Sequence, residues 1–265
     1  QLDNAKNATT DAFLTALSKN GNMATIILQF ASSFDGYYYD RNDKPYVCKS
    51  PRPFYVVMTG NRDALKTLYA NFKVEALPGL KNKCFLSSES WTLNENDACA
   101  IISDYTNARR IKTLRNFLDI EEVSLDREAS SLQFAIGVDY SDIFVDENYL
   151  LDKNNYQVEP DDYKVVGVSK ASPSAIGDFS ISPSKPYAIV LSVPNGSFAP
   201  MVTLSLRKGI PAWVKKSNVN DDAGSIPSPT QSFAIQKMVE GIVAAYSEDY
   251  DNYYKMTMNI NKYNK

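Results

Sequence analysis

Between Ile235 and Tyr246 the apolar residues recur at Ile235, Met238, Val239, Ile242, Val243 and Tyr246. This is the i, i+3, i+4, i+7, i+8 spacing of one helical stripe. Such a stripe needs an apolar surface to lie on, so the spacing predicts a helix over 232–246 packed onto structure built earlier in the chain. Pro229 and Thr230, just upstream, supply a turn and an N-cap hydroxyl. Lys237 and Glu240 fall off the stripe and are expected to face water. Trp213 opens the Pro-, Ser- and Asp-rich stretch that leads into the helix.

Earlier in the chain, Asn7–Asn22 reads as a short helix capped by Thr9 or Thr10 and stopped by Gly21. Ala24–Phe30 (ATIILQF) suits a strand buried on both faces. A tyrosine-rich polar stretch follows, with Tyr37, Tyr38, Tyr39 and Tyr46. Then Phe54–Met58 reads as a strand, Thr59-Gly60-Asn61 as a turn with Asn61 as N-cap, and Arg62–Phe72 as a helix. Strand, turn and helix make half of a βαβ unit. The turn lacks the glycine pattern of a phosphate-binding loop and is read as structural.

From Cys84 onward helical periodicity gives way to short alternating segments: 132–138, 163–168, 189–191 and 202–206. Repeated short strands between turn signals argue for an antiparallel sandwich or barrel-like sheet. Arg109–Leu118 fits either a short helix or an edge segment. Tyr254–Ile260 alternates as a last strand. The expected fold is therefore α+β, with an N-terminal α/β portion over 1–85 and a β-rich, sandwich-like domain over 86–265. The packed helix 232–246 and the strand 254–260 close the second domain.

Composition narrows the function. The 265 residues contain no histidine, which removes Ser-His-Asp and Cys-His nucleophiles, histidine bases and histidine-ligated metals. Net charge is −3, and nothing suggests the basic face that nucleic acid binding needs. No apolar run approaches the ~20 residues that span a bilayer. The chain opens at Gln1 rather than methionine, which fits a processed start. Cys48, Cys84 and Cys99 allow at most one internal disulfide, with three pairings open, and match no zinc or redox motif.

Three constellations suggest chemistry. Ser182-Pro183-Ser184-Lys185 fits SxxK, but its prolines break the helix that carries such a pair, so a turn is expected. Asn218, Asn220 and Asp222 place oxygens at alternate positions as calcium loops do, although the glycine comes one place late and no glutamate follows at the twelfth position. They stand as candidate calcium ligands beside the plainer expectation of a solvated loop. The acid pairs Glu121-Glu122, Asp161-Asp162 and Asp221-Asp222 are the remaining route to catalysis, a carbohydrate-active hydrolase. Sequence neighbours on a strand point to opposite faces, however. Tyrosine is used 17 times, and tyrosines serve recognition because they add contact area and keep a polar tip. Tyr37, Tyr38, Tyr39 and Trp213 are the candidate ligand-binding residues.

The segments LQFASSFDGYYYD (28–40), RPFYVVMTGNRDAL (52–65) and GIPAWVKKSNVNDD…SFAIQKMVEGIVAAY (209–246) carry a resemblance. They resemble a group of uncharacterised exported proteins of Bacteroides-like bacteria with an LPxWV…DD…TFG…GIxxAY ending after a VWA-like N-terminal region. The resemblance implies an extracytoplasmic location, in the periplasm or at the cell surface as in a lipoprotein-like protein, and no known activity. A metal-binding VWA domain carries DxSxS after its first strand. None follows Ala24–Phe30, so metal-dependent adhesion is not carried over. The expectation is a non-enzymatic interaction module for protein or glycan, with the hydrolase as its alternative.

Overall fold

The computed structural model describes residues 2–92, 99–102, 105–113, 119–140, 143–171, 186–249 and 251–260. The chain begins with α1 (Leu2–Leu17), β1 (Met23–Ser32), β2 (Gly36–Tyr39), β3 (Pro45–Cys48), β4 (Arg52–Asn61), α2 (Arg62–Asn71) and β5 (Leu80–Ser87). There follow β6 (Trp91–Thr92), β7 (Cys99–Ile102), β8 (Arg110–Thr113), β9 (Ile120–Ser124), β10 (Ser131–Asp139), α3 (Glu147–Leu151), β11 (Tyr156–Glu159) and β12 (Lys164–Lys170). Last come β13 (Pro186–Pro194), β14 (Met201–Arg207), α4 (Ala212–Lys216), β15 (Asn218–Val219), β16 (Ser232–Phe233), α5 (Ile235–Tyr246) and β17 (Asn252–Asn259). The fold is mixed α+β, with mostly antiparallel strands in several sheets.

Two compact units share the chain: Gln1–Glu89 with Phe144–Asp146 and Lys208–Asp251, and Ser90–Ile143 with Glu147–Arg207 and Asn252–Lys265. The first is built on a sheet of order β4-β1-β5. The apolar run of β1 is buried from Met23 to Phe30, as its composition requires. On one face Ala24, Ile26, Leu28 and Phe30 pack with Leu65 of α2, Val74 and Phe144. On the other face the Thr25 hydroxyl is hydrogen-bonded to the Tyr246 hydroxyl of α5 at 2.9 Å. The stripe of α5 is buried there at Ile235, Val239, Ile242, Val243 and Tyr246, with Met238 half-buried.

Helix α1 lies against α5. A Cβ on Gly241 would stand 2.6 Å from the Lys6 carbonyl and 2.8 Å from Thr9 Cβ, so the missing side chain is what lets the helices approach. The Thr10 hydroxyl is 3.2 Å from the Gly241 carbonyl, and Lys237 reaches Asp3 at 2.9 Å.

Several local expectations are corrected. Helix α1 starts at Leu2 rather than Asn7, and Thr9 and Thr10 lie inside it, donating back to the Ala5 and Lys6 carbonyls one turn earlier. Thr59-Gly60-Asn61 is not a turn, because β4 runs straight into α2. Asn61 is the N-cap as expected, its side-chain oxygen accepting from the Asp63 and Ala64 amides. The strand and helix are not half of a βαβ unit, since both partners of β1 are antiparallel. Helix α5 is not capped by Thr230. It starts after Ala234 at φ 60°, and Asn218 Oδ1 accepts from the Gln236 amide at 3.0 Å. The expected boundary near 85 meets a chain that returns: segment 208–251, with the helix predicted to close the second domain, belongs to the first unit.

The second unit holds two four-stranded sheets, β12-β13-β10-β7 and β11-β14-β17-β6. The alternating segments of the sequence form β10, β12, β13, β14 and β17, and the expected last strand pairs antiparallel with β14. Within the Arg109–Leu118 stretch, Arg110–Thr113 is a strand paired with β9, and 114–118 lie outside the described residues. Tyr140, just past β10, donates through its hydroxyl to that of Tyr254 on β17 at 2.6 Å, both rings buried.

Ile242 sits in the middle of the buried stripe at 1 % exposure, so Ile242→Ala should cost ~2–5 kcal/mol through the cavity it leaves. Lys237→Ala, which removes an ion pair to the exposed Asp3 and one to Glu240, should move the urea midpoint far less. Equal losses in the two denaturation curves would show that the stripe is not what holds α5.

Candidate functional site

The tyrosine run forms β2, which pairs with β3 in a two-stranded hairpin. Side chains alternate along a strand, so Tyr38 turns one way and Tyr37 and Tyr39 the other. Tyr37 and Tyr39 are 62 % and 59 % exposed. The hairpin turn closes around Asp40, whose Oδ1 accepts from the Asn42 and Lys44 amides at 2.9 and 3.0 Å.

Two buried carboxylates join this hairpin to the acidic loop. Asp40 Oδ2 accepts from the Gly224 amide at 2.8 Å. That backbone hydrogen bond is the largest cause holding the Asp40 pKa below the usual carboxylate range. Asp222, 2 % exposed, answers from the loop. It accepts from the Tyr38 hydroxyl and, at 3.1 Å, from the Arg41 amide. Burial, then the Asp222 hydrogen bond, pushes the Tyr38 pKa well up, so Tyr38 stays a neutral donor. The buried Arg52 lies over the Tyr38 ring, its guanidinium carbon 4.9 Å from the centroid. It donates to the Pro227, Ser228 and Gln231 carbonyls at 2.7, 3.2 and 3.0 Å.

These contacts shape a groove of about 350 Å³ in the first unit. Its walls include Phe34, Tyr37, Tyr39, Arg52, Phe54 and Phe233. Among the described residues no carboxylate lines it, and it can hold an apolar or hydroxyl-bearing surface against its rings, with tyrosine hydroxyls among its polar groups. Tyr37, Tyr38 and Tyr39 are thus brought together. Trp213 is not among the lining residues, and its indole N–H donates to the Lys83 carbonyl at 3.0 Å. Sequence reasoning missed Phe34, Phe54, Phe233 and Arg52. Phe54 carried a signal that pointed elsewhere, because it opens an apolar run read as a buried strand.

The residues expected around calcium have other partners. Asn218 Oδ1 caps α5, Asn220 Oδ1 accepts from Asn218 Nδ2 at 2.8 Å, and Asp222 serves Tyr38 and Arg41. Of the acid pairs, Asp161 and Asp162 are exposed in a turn, and Glu121 pairs with Lys112. Asp221 points out to Arg41 at 3.3 Å while Asp222 is buried. Cys48 and Cys84 are free buried thiols. The SxxK segment lies outside the described residues, as does the chain's DxSxS string, Asp178 to Ser182.

A second cavity of about 230 Å³ in the same unit is lined by Leu14, Leu17, Ser88, Tyr246, Glu248 and Asp249. Beside it the buried Lys208 ammonium donates to the Tyr246 carbonyl at 2.9 Å and the Ser88 carbonyl at 3.3 Å. Burial lowers its pKa from 10.5 to about 8, against the pull of Asp249 and Asp251.

The chain matches no protein-family model, no characterised protein and no solved structure.

Two outcomes test this geometry. Asp222→Ala removes the buried acceptor that the half-buried Tyr38 hydroxyl and the Arg41 amide share and should cost ~1–3 kcal/mol in urea unfolding, whereas Asp221→Ala, its exposed neighbour, should hardly register. Equal effects would mean that the buried carboxylate does not hold the loop. The Lys208 prediction concerns pH. Between about 8 and 10.5 the unfolded chain keeps a proton that the folded chain releases, so stability rises with pH across that window and is constant below it. The stability difference between wild type and Lys208→Met should therefore move in favour of wild type by up to about 3 kcal/mol from pH 7 to 10.5. A flat difference would show an ordinary lysine.

Proposed function

We propose that the chain is a non-enzymatic interaction module, acting outside the cytoplasm, that contacts protein or glycan through the tyrosine groove. One observation carries this: Tyr37 and Tyr39 are exposed side by side on a strand whose inward tyrosine is locked by buried partners. Such rings offer flat apolar area with polar tips. A site already held in place avoids the ordering cost of binding. The hydrolase alternative needs two facing carboxyls across a cleft. Among the described residues the groove supplies none, and the second cavity supplies only the sequence neighbours Glu248 and Asp249.

The extracytoplasmic, surface or lipoprotein-like setting rests on the resemblance of segments 28–40, 52–65 and 209–246 to exported bacterial proteins. The VWA-like part of that resemblance gains nothing from the antiparallel first sheet. For the second unit we propose a sandwich of its two sheets, supported by the buried Tyr140–Tyr254 contact between them.

Purified chain applied to a glycan array and to an array of cell-surface proteins should give a binder on one of them. Its affinity should fall about tenfold or more in the Tyr37→Ala/Tyr39→Ala double variant, with an unchanged melting curve. Two empty arrays, or binding indifferent to the double variant, would overturn the reading.

A further inference from the structure

Among the described residues, strand β4 is the edge of its sheet and is bonded only to β1. The Ser88 amide donates to the Met23 carbonyl and the Ala31 amide to the Gly79 carbonyl, so odd residues of β1 turn their main chain toward β5 and even ones toward β4. The β1–β4 register pairs Ala24 with Gly60 and Phe30 with Phe54. Even residues of β4 therefore bond inward, and Pro53, Tyr55, Val57 and Thr59 turn theirs outward.

Natural edges are defended by charge, by proline or by a cover. From Pro53 to Asn61 this edge carries no charged residue, Val57 is 42 % exposed, and Thr59 is exposed too. Pro53, which has no N–H, closes one end, and the Asn61 helix cap closes the other. What stays open is Tyr55, Val57 and Thr59, a row symmetric about Val57. Outward N–H and C=O groups at strand spacing accept only extended backbone, and a row symmetric about its midpoint accepts itself.

We infer that two copies of this chain pair through their β4 edges, antiparallel and two-fold about Val57, so that two three-stranded sheets become one of six strands. Val57 then faces its counterpart, Tyr55 faces Thr59, and Phe54 faces Gly60. The last pairing is sterically matched. Phe54 is 44 % exposed, nothing lies within 4 Å of where a Cβ on Gly60 would be, and both residues share one face of the sheet. An aromatic ring laid over a strand glycine covers backbone that the glycine leaves bare. Over 53–61 the pairing puts no charge opposite a like charge, and it shares the Phe54 ring with the groove wall.

Sedimentation equilibrium over about 1–100 µM, the range of modest affinities, should show a reversible monomer–dimer equilibrium. Val57→Lys should keep the melting curve and raise the dissociation constant about tenfold or more, by placing like charges on the two-fold. Under mild oxidation Val57→Cys should give a disulfide-linked dimer, because an antiparallel hydrogen-bonded pair sets its Cα atoms about 5.5 Å apart. Thr59→Cys should not, since its counterpart lies roughly 13 Å along the strand. A monomer at every concentration, a dimer untouched by Val57→Lys, or equal cross-linking at 57 and 59 would each overturn the proposal. So would a dimer lost in the Tyr37→Ala/Tyr39→Ala variant, which would move the interface to the groove.

Discussion

Strand β1 is covered on both faces and bonded on both edges, and the first unit is what that covering recruits. Its apolar residues could be buried by many arrangements of helices, but its two buried polar side chains accept few. The Gln29 amide nitrogen donates to the Tyr55 hydroxyl and Ser217 Oγ, and its oxygen accepts from Asn82 at 2.6 Å. Thr25 is shared between Thr59 and Tyr246. A buried polar group without a partner costs ~1–3 kcal/mol, so these residues select which strands flank β1 and which helix lies across it. Ser217 and Tyr246 arrive 188 and 221 residues after Gln29 and Thr25. The unit is discontinuous because the partners that β1 needs lie at the other end of the chain.

Helix α5 answers that need while facing two ways. Its stripe meets the sheet, and Gly241 beside the stripe meets α1. A glycine in a helix interior costs roughly 1 kcal/mol of propensity against alanine. Here a Cβ would run into the Lys6 carbonyl and Thr9, so propensity is given up for a close helix–helix approach. The Thr10 hydroxyl then reaches the Gly241 carbonyl across the contact, and the exposed Asp3 meets Lys237. The layers of the unit run α1, α5, sheet, α2.

Much of this was legible in the sequence where periodicity is local. The stripe of α5, the buried run of β1, the Asn61 cap and the alternating strands of the second unit all follow from spacing. What was not legible are choices between partners far apart in the chain. Phe54–Met58 followed by a helix reads equally well as parallel or antiparallel, because strand direction is settled by the neighbour and not by the strand. Thr230 has the right chemistry for a cap, yet Asn218 takes that role because the parallel pairing of β15 with β16 places it at the start of α5. Of the site, the three tyrosines were visible as a run. Phe34, Phe233 and Arg52 were not, since no pattern along the chain announces which rings meet across a fold.

The groove owes its form to the inward side of the tyrosine strand. Asp40 stands in the hairpin and binds the loop at Gly224, while Asp222 stands in the loop and binds the hairpin at Tyr38 and Arg41. Each segment thus supplies the acceptor that the other lacks, and Arg52, stacked on Tyr38, holds the next stretch of loop by three carbonyls. Side chains alternate with a period of two, so fixing Tyr38 inward fixes Tyr37 and Tyr39 outward. A slip of one residue would reverse all three. The buried hydrogen bonds therefore set which rings meet solvent, and the exposed face needs no contacts of its own to stay in place. That separation lets Tyr37 and Tyr39 be substituted while the scaffold behind them stays the same.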